Sequence, residues 1–239
     1  MAIKGVIFDY GGTLDTNGVH WFHIFRQAYA EFLPHITEEQ LRQAYVYAER
    51  YLAKNRVIEP TDDFLAMLYK KIVIQLQHLK ESFCIDTDET HCTLLAKRCD
   101  THVRQTMKLT RQVLDAFAER FPMVLVSNFY GNIHSVLRSY DISHYFRCVI
   151  ESAVVGVRKP DPAIFALGIE ALGIAPHEVL VVGDSYTKDI VPAHTLGCHT
   201  AWIKGLGWES LEDPTPPHCA DIVLSDLKEI CDLHLPPSA

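Results

Sequence analysis

The sequence lacks the patterns that mark disulfide-rich, zinc-binding and membrane proteins. Its seven cysteines are odd in number and contain no C-x-x-C pair, so neither a disulfide framework nor a four-thiolate zinc site is expected. No segment approaches the ~20 apolar residues of a membrane-spanning helix. The apolar start, interrupted by Asp9, is too short for a secretory leader. We therefore expect a soluble, cytoplasmic protein without a membrane partner.

Motifs of several large enzyme classes are also missing. The chain has no G-x-S-x-G, G-x-x-x-x-G-K-[ST] or G-x-G-x-x-G string, which disfavours serine hydrolases, P-loop NTPases and dinucleotide-binding enzymes. Its 22 Lys and Arg residues against 30 Asp and Glu give a net charge of −8, and no long basic run offsets that charge. A nucleic-acid partner is therefore not expected.

The 239 residues have the composition of an ordinary globular protein, with 48% hydrophobic and 22% charged residues. Ile3 to Phe8 is an apolar run that stops at Asp9 and the pair Gly11-Gly12, as a buried parallel strand stops at a loop. From about Trp21 to His102, amphipathic stretches with almost no glycine predict helices only, the last of them from Glu89 to Met107.

Beyond Thr110 the pattern alternates between helix and strand, beginning with a helix from Arg111 to Arg120. The expected strands are MVLV, CVIES, VLVVG, TAWI and IVL, with a proline-rich loop at Glu212–His218 before the last. Such alternation predicts right-handed βαβ units in a parallel sheet. We predict an α/β fold with a core of residues 1–15 and 106–239 and an all-helical insert of residues 16–105.

Reactive side chains follow the ends of these strands, at Asp9, Ser127, Asn128, Lys159, Asp184 and Asp189. Ligands bind at the carboxyl edge of such sheets. Three carboxylates that approach one another need a cation, and hard oxygen ligands favour Mg²⁺. A lysine and a serine beside the metal would clamp a phosphate, and a free carboxylate could attack phosphorus to form an aspartyl-phosphate.

These residues belong to four strings that occur in a fixed order: FDYGGTLD, VSN, RKPDP and GDSYTKD. In their order, and in the helical insert between the first and second, the chain resembles the haloacid dehalogenase-like (HAD) superfamily. The resemblance covers essentially the whole chain and is strongest for its phosphoglycolate-phosphatase-like and 2-haloacid-dehalogenase-like members. It implies a Rossmann-like parallel sheet core with an inserted, all-helical cap domain.

The resemblance also implies roles for individual residues. Asp9 would be the nucleophile, and Lys159 would offset charge around it. The transferring phosphoryl group of a small phosphorylated metabolite would be bound by Gly11, Gly12, Ser127, Asn128 and Lys159. Mg²⁺ would be ligated by Asp9, the carbonyl of Gly11, Asp184 and Asp189. The sequence leaves open whether the substrate is a sugar phosphate, glycolate phosphate or nucleotide, and it does not indicate an oligomeric state.

One position departs from the family pattern. Most phosphatases of the superfamily read D-x-D-G-T, and their second Asp serves as general acid and base, whereas this chain has Gly11 there. A positioned acid/base contributes about 10² to 10⁴ in rate. Turnover could persist through a good leaving group or through a residue of the insert, for which His20 and His23 are the nearest candidates, although a structural or solvated role is expected for both.

Three other functions remain compatible with Gly11. Superfamily dehalogenases also lack the second Asp, but they use no Mg²⁺ and do not keep the Asp184 and Asp189 pair. A non-catalytic module could bind a phosphate or metabolite and retain the metal site. A phosphonatase-like enzyme would need a cap lysine for a Schiff base, and Lys54, Lys70 and Lys71 are interpreted here as surface lysines.

Overall fold

A six-stranded, wholly parallel sheet forms the centre of the molecule in the computed structural model, which describes residues 2–208 and 218–233. Its order is β3-β2-β1-β4-β5-β6. The strands are β1 (Gly5–Phe8), β2 (Met123–Ser127), β3 (Phe146–Glu151), β4 (Val179–Gly183), β5 (His199–Ile203) and β6 (Ile222–Leu224). The predicted α/β fold with a parallel sheet is confirmed.

Helices cover the sheet and make up the segment between β1 and β2. They are α1 (Trp21–Phe32), α2 (Glu38–Lys54), α3 (Phe64–Phe83), α4 (Glu89–Ala118), α5 (Ile133–Ser139), α6 (Ser152–Val155), α7 (Ala163–Leu172) and α8 (Val191–Thr195). A π-helical turn at Tyr186–Ile190 precedes α8. Within the described ranges, no helix is both long and apolar enough to cross a bilayer.

The prediction of two helices at Glu89–Met107 and Arg111–Arg120 is wrong, because α4 runs without a break from Glu89 to Ala118. No glycine or proline lies between these stretches, and Met107, Thr110 and Val113 continue the buried face of the helix. The helix therefore crosses the predicted boundary at residues 105 and 106, and the division into core and insert stays a prediction. The expected loop at Glu212–His218 lies outside the described residues except for His218.

Burial fixes the position of the strands that carry the predicted site. Every residue of β1, β2 and β4 is buried, as expected for central strands covered on both faces. These strands are adjacent and parallel, so their carboxyl ends lie side by side. Asp9 directly follows β1, Ser127 ends β2, and Asp184 directly follows β4. The sheet thus brings residues far apart in sequence to one edge.

Candidate active site

Lys159 forms the centre of a buried charge cluster at this edge. Its ammonium lies 2.6 Å from Asp9 Oδ1 and 2.7 Å from Asp189 Oδ1. All three residues are at most 5% exposed. Burial alone would lower the pKa of Lys159, but the carboxylates of Asp189 and Asp9 together outweigh burial and raise it. Lys159 therefore holds a positive charge beside the proposed nucleophile.

Thr13 and Gly12 fix the loop that follows β1. The Thr13 hydroxyl lies 3.0 Å from Asp9 Oδ2 and 3.3 Å from Asp184 Oδ1, so it can donate to either carboxylate. Gly12 has a φ of +99°, and a Cβ at this position would collide with the Asp184 carboxylate. Glycine is required here both for its backbone conformation and for the close approach of Asp184.

Asp9, Asp184 and Asp189 form a group that fits a divalent cation. One oxygen from each lies within 4.8 Å of the others. The group contains three carboxylates but only one ammonium, that of Lys159, so it has an excess of negative charge. Asp9, Asp189 and Lys159 are buried, so water screens this charge poorly. Burial, and then the charges of Asp9 and Asp189, raise the pKa of Asp184 well above its usual range. Such a set of hard oxygen donors suits Mg²⁺.

The phosphate side of the site is built by β2 and the loop that carries Lys159. Ser127 is 1% exposed. The side-chain amide of Asn128 donates to the Lys159 carbonyl at 3.0 Å, and its oxygen accepts the Lys159 backbone N–H at 2.9 Å. Asn128 therefore positions Lys159, in addition to the role in phosphate binding predicted for it. Its amide has a second N–H that this pairing leaves unused.

The structure brings every predicted site residue to one cavity of about 1980 Å³. Gly11 also lines this cavity, and a Cβ at its position would meet no atom within 4 Å. The space that an acidic side chain would take in the usual family motif is thus open.

Burial and the nearby charge of Asp189 raise the pKa of Asp9 to about 6, against the lowering effect of Lys159.

A family model of haloacid dehalogenase-like hydrolases matches residues 3–197. The chain belongs to this family. Phosphoserine phosphatase from Thermus thermophilus is 34% identical over 89 residues, which make up 37% of this HAD-like hydrolase and 34% of that relative. The hydrolase thus spans about a third of the length of that curated relative.

Two solved structures share the fold over nearly all of the HAD-like hydrolase. A HAD-hydrolase from Bacillus subtilis bound to magnesium has a TM-score of 0.60 and 16% identity, over 96% of this chain and 97% of that one. L-2-haloacid dehalogenase from Xanthobacter autotrophicus has a TM-score of 0.60 and 20% identity, over 97% of this chain and 98% of that one. At these identities the likeness shows the shared fold.

Asp15 is a part of the hydrolase's site that sequence reasoning missed. Asp15 is fully buried; one of its oxygens accepts the Gly12 backbone N–H at 2.7 Å, and the other accepts the Trp21 indole N–H at 2.8 Å. Burial raises the pKa of Asp15 to about 7 despite these donors. The sequence signal for Asp15 was its place at the end of the string FDYGGTLD. Trp202 was also missed, and its indole donates to the Asp184 carbonyl at 2.8 Å.

The two candidate histidines of the hydrolase have structural contacts. His20 Nδ1 accepts the Phe22 N–H at 3.2 Å as the N-cap of α1. Burial and then the charge of Lys188 lower the pKa of His20 to about 4, so it is neutral at pH 7 and carries its proton on Nε2. His23 is 5% exposed, and its Nε2 lies 2.7 Å from the Gly207 carbonyl. His20 lines the cavity and can donate a hydrogen bond there.

The interpretation of the three insert lysines as surface residues is wrong for Lys71. Lys54 is exposed and Lys70 pairs with Asp62, but Lys71 is only 5% exposed and forms an ion pair with Glu49. Its ammonium also lies 3.2 Å from the Tyr130 hydroxyl, which donates to Glu49 at 2.8 Å. These charges raise the pKa of Lys71 although burial lowers it, so the ammonium form is favoured over the neutral amine that a Schiff base requires.

Proposed function

We propose that this HAD-like hydrolase is a magnesium-dependent phosphatase that acts on a small phosphorylated metabolite through an aspartyl-phosphate at Asp9. The single observation that carries this proposal is the buried cluster of Asp9, Asp184 and Asp189 around Lys159. A nucleophile, a cation site and a fixed ammonium within one cavity are what phosphoryl transfer needs, because the reaction is largely positioning and charge stabilisation.

Two neighbouring side chains hold the Asp9 carboxylate in position for attack. Lys159 binds one carboxylate oxygen and the Thr13 hydroxyl lies beside the other. In the first step an Asp9 oxygen bonds to phosphorus while the ester P–O bond breaks and the leaving oxygen takes a proton. In the second, water bonds to phosphorus, the acyl-phosphate P–O bond breaks, and phosphate and free Asp9 are released. Lys159 offsets negative charge during both steps.

Mg²⁺, when bound, would be held by Asp9, Asp184, Asp189 and the Gly11 carbonyl, and it would neutralise charge on the phosphoryl oxygens. The Gly12 N–H, predicted to bind the phosphoryl group, is already bound by Asp15, so Ser127, Asn128 and the Gly11 N–H would hold the other side of this group. Gly11 has no proton to give to the leaving oxygen, so this proton comes from water or from the substrate. We therefore expect esters with acidic leaving groups to react fastest.

Two other functions fit the site less well. Dehalogenation of a haloacid uses Asp9 but gives no role to three carboxylates that need a cation. A non-catalytic binding module would explain the open space at Gly11, but it gives no reason to aim a carboxylate, held by Lys159 and Thr13, into a cavity. The observations therefore favour the phosphatase.

The test is phosphate release from a panel of small phosphate esters, with Mg²⁺ and with EDTA. We expect release by the wild type only with Mg²⁺, none by Asp9→Asn, and a calorimetric loss of Mg²⁺ binding in Asp184→Asn. Asp232→Asn, at an exposed position outside the cavity, is the matched control. Release by Asp9→Asn, or a wild type that binds Mg²⁺ and releases nothing, would contradict the proposal.

A further inference from the structure

The exposed charged side chains that line the cavity are all cations. There are six of them, three from the end of α2 and the segment after it and three from the segments that follow β3, β4 and β5: Arg50, Lys54, Arg56, Arg158, Lys188 and Lys204. The whole chain has a net charge of −8. The charge of these six side chains is therefore opposite in sign to the net charge of the protein.

None of these six side chains forms an ion pair with a carboxylate among the residues that the structure describes. Elsewhere some exposed cations do pair, as Arg26 does with Glu38 and Lys80 with Asp86. The cavity's own carboxylates outside the catalytic cluster are already occupied. Glu49 is bound by Lys71 and Tyr130, and Asp15 accepts two N–H groups. The positive charge facing the cavity is thus left without a counter-charge in the described protein.

The phosphoryl group that reacts has its own set of partners. Lys159, the cation site formed by the three carboxylates and the backbone of the loop after β1 would bind it at Asp9. The six cations line the same cavity, which must also hold the leaving group of the substrate. Arginine in particular matches a carboxylate or phosphate with two parallel N–H donors.

We propose that the leaving group of the substrate carries a second anionic group, a carboxylate or another phosphate, bound by Arg50, Arg56 and Arg158. This inference rests on the proposed phosphatase function, because that function places the first phosphate at Asp9. It makes the substrate a small polyanion and assigns its recognition to cations from both the insert and the core. Unspecific attraction would also favour the more highly charged ester of each pair, but it depends on the summed charge of the protein, so the loss of a cation outside the cavity would weaken it as well.

The experiment uses two pairs of compounds that differ by one anionic group. The carboxylate pair is 2-phosphoglycolate and ethyl phosphate, and the phosphate pair is 1,3-propanediol bisphosphate and 3-hydroxypropyl phosphate. Binding of each is measured by calorimetry on Asp9→Asn in the presence of Mg²⁺, which requires no turnover. We expect the doubly anionic member of at least one pair to bind about tenfold more tightly or better, and the pair that shows this preference identifies the second group.

Arg50→Gln, Arg56→Gln and Arg158→Gln, each added to Asp9→Asn, should lower this preference. The controls are Lys108→Gln and Arg147→Gln, which remove exposed cations that do not line the cavity and should leave the preference unchanged. Equal affinity within both pairs, or a preference that all five variants lower alike, would overturn the inference. Failure of the phosphatase proposal is seen separately, as the absence of phosphate release from every ester by the wild type.

Discussion

The indole N–H of Trp21 donates to the buried carboxylate of Asp15 at 2.8 Å. Trp21 is the first residue of α1, and the other Asp15 oxygen accepts the N–H of Gly12 in the loop after β1. Asp15 thus ties the first helix of the insert to the loop that follows the proposed nucleophile. A change at the start of α1 is therefore expected to reach the phosphate-binding backbone.

Trp21→Phe should weaken this connection while keeping an aromatic ring. We expect the free energy of unfolding to fall by about 1 kcal/mol, the usual net contribution of one hydrogen bond, and kcat/KM to fall because Gly12 is held less firmly. Trp208→Phe is the control, since the Trp208 indole N–H makes no hydrogen bond within the described residues. Equal urea-denaturation midpoints and equal kcat/KM for the two variants would show that the Trp21–Asp15 bond has no such role.

Gly11→Asp should raise the rate of hydrolysis of alkyl phosphates. The new side chain enters open space, since a Cβ there meets no atom within 4 Å, and it restores an acid/base that contributes about 10² to 10⁴ in rate when well placed. We expect at least a tenfold increase in kcat, and none in Gly11→Asn, which has the same size but no proton to exchange. Equal rates in both variants would mean that the leaving group is protonated by other means.

Protonation of His20 should destabilise the protein in mild acid. Its pKa falls from 6.5 to about 4 on folding, so between these values the unfolded chain binds more protons and stability decreases as the pH falls. His20→Asn keeps a side-chain acceptor at the N-cap of α1 but does not titrate. Between pH 7 and pH 4 the wild type should lose on the order of 2 kcal/mol more than this variant in urea denaturation. Parallel losses would contradict the assignment.

Glu49→Gln should destabilise the protein because it leaves the Lys71 ammonium buried without its carboxylate. The Lys71 side chain is 6% exposed and that of Glu49 is 34% exposed, so we expect a loss of about 2 to 3 kcal/mol, below the full cost of breaking a buried pair. Adding Lys71→Met should recover part of the loss. The surface pair Lys80–Asp86, with side chains 63% and 91% exposed, is the control, and Asp86→Asn should cost less than about 0.5 kcal/mol.

Much of the site could be predicted from the sequence because a parallel sheet places the ends of its strands along one edge. Asp9, Ser127 and Asp184 each stand where an apolar run stops, and the structure places them at the ends of three adjacent strands. The pairing of Asn128 with the Lys159 backbone could not be predicted, since it depends on how the loop carrying Lys159 returns to β2.

The burial of Lys71 could have been predicted from the sequence. Its spacing from Met67, Leu68 and Gln75 places it on the buried face of α3, so helical periodicity argued against a surface lysine. The length of α4 is a second case, since nothing between Met107 and Arg111 breaks a helix. The Trp202–Asp184 contact gave no local signal, because it joins β5 to the loop after β4 through tertiary packing.

The central claim is that Asp9 becomes covalently phosphorylated. Enzyme mixed with a substrate from the phosphate-release panel and quenched during turnover would be reduced with borohydride, which converts an aspartyl-phosphate into homoserine, and the peptide containing residue 9 would be identified by mass spectrometry. We expect homoserine at position 9 only when substrate and Mg²⁺ are both present. Steady phosphate release with an unmodified Asp9, or with the modification at Asp184 or Asp189 instead, would contradict it.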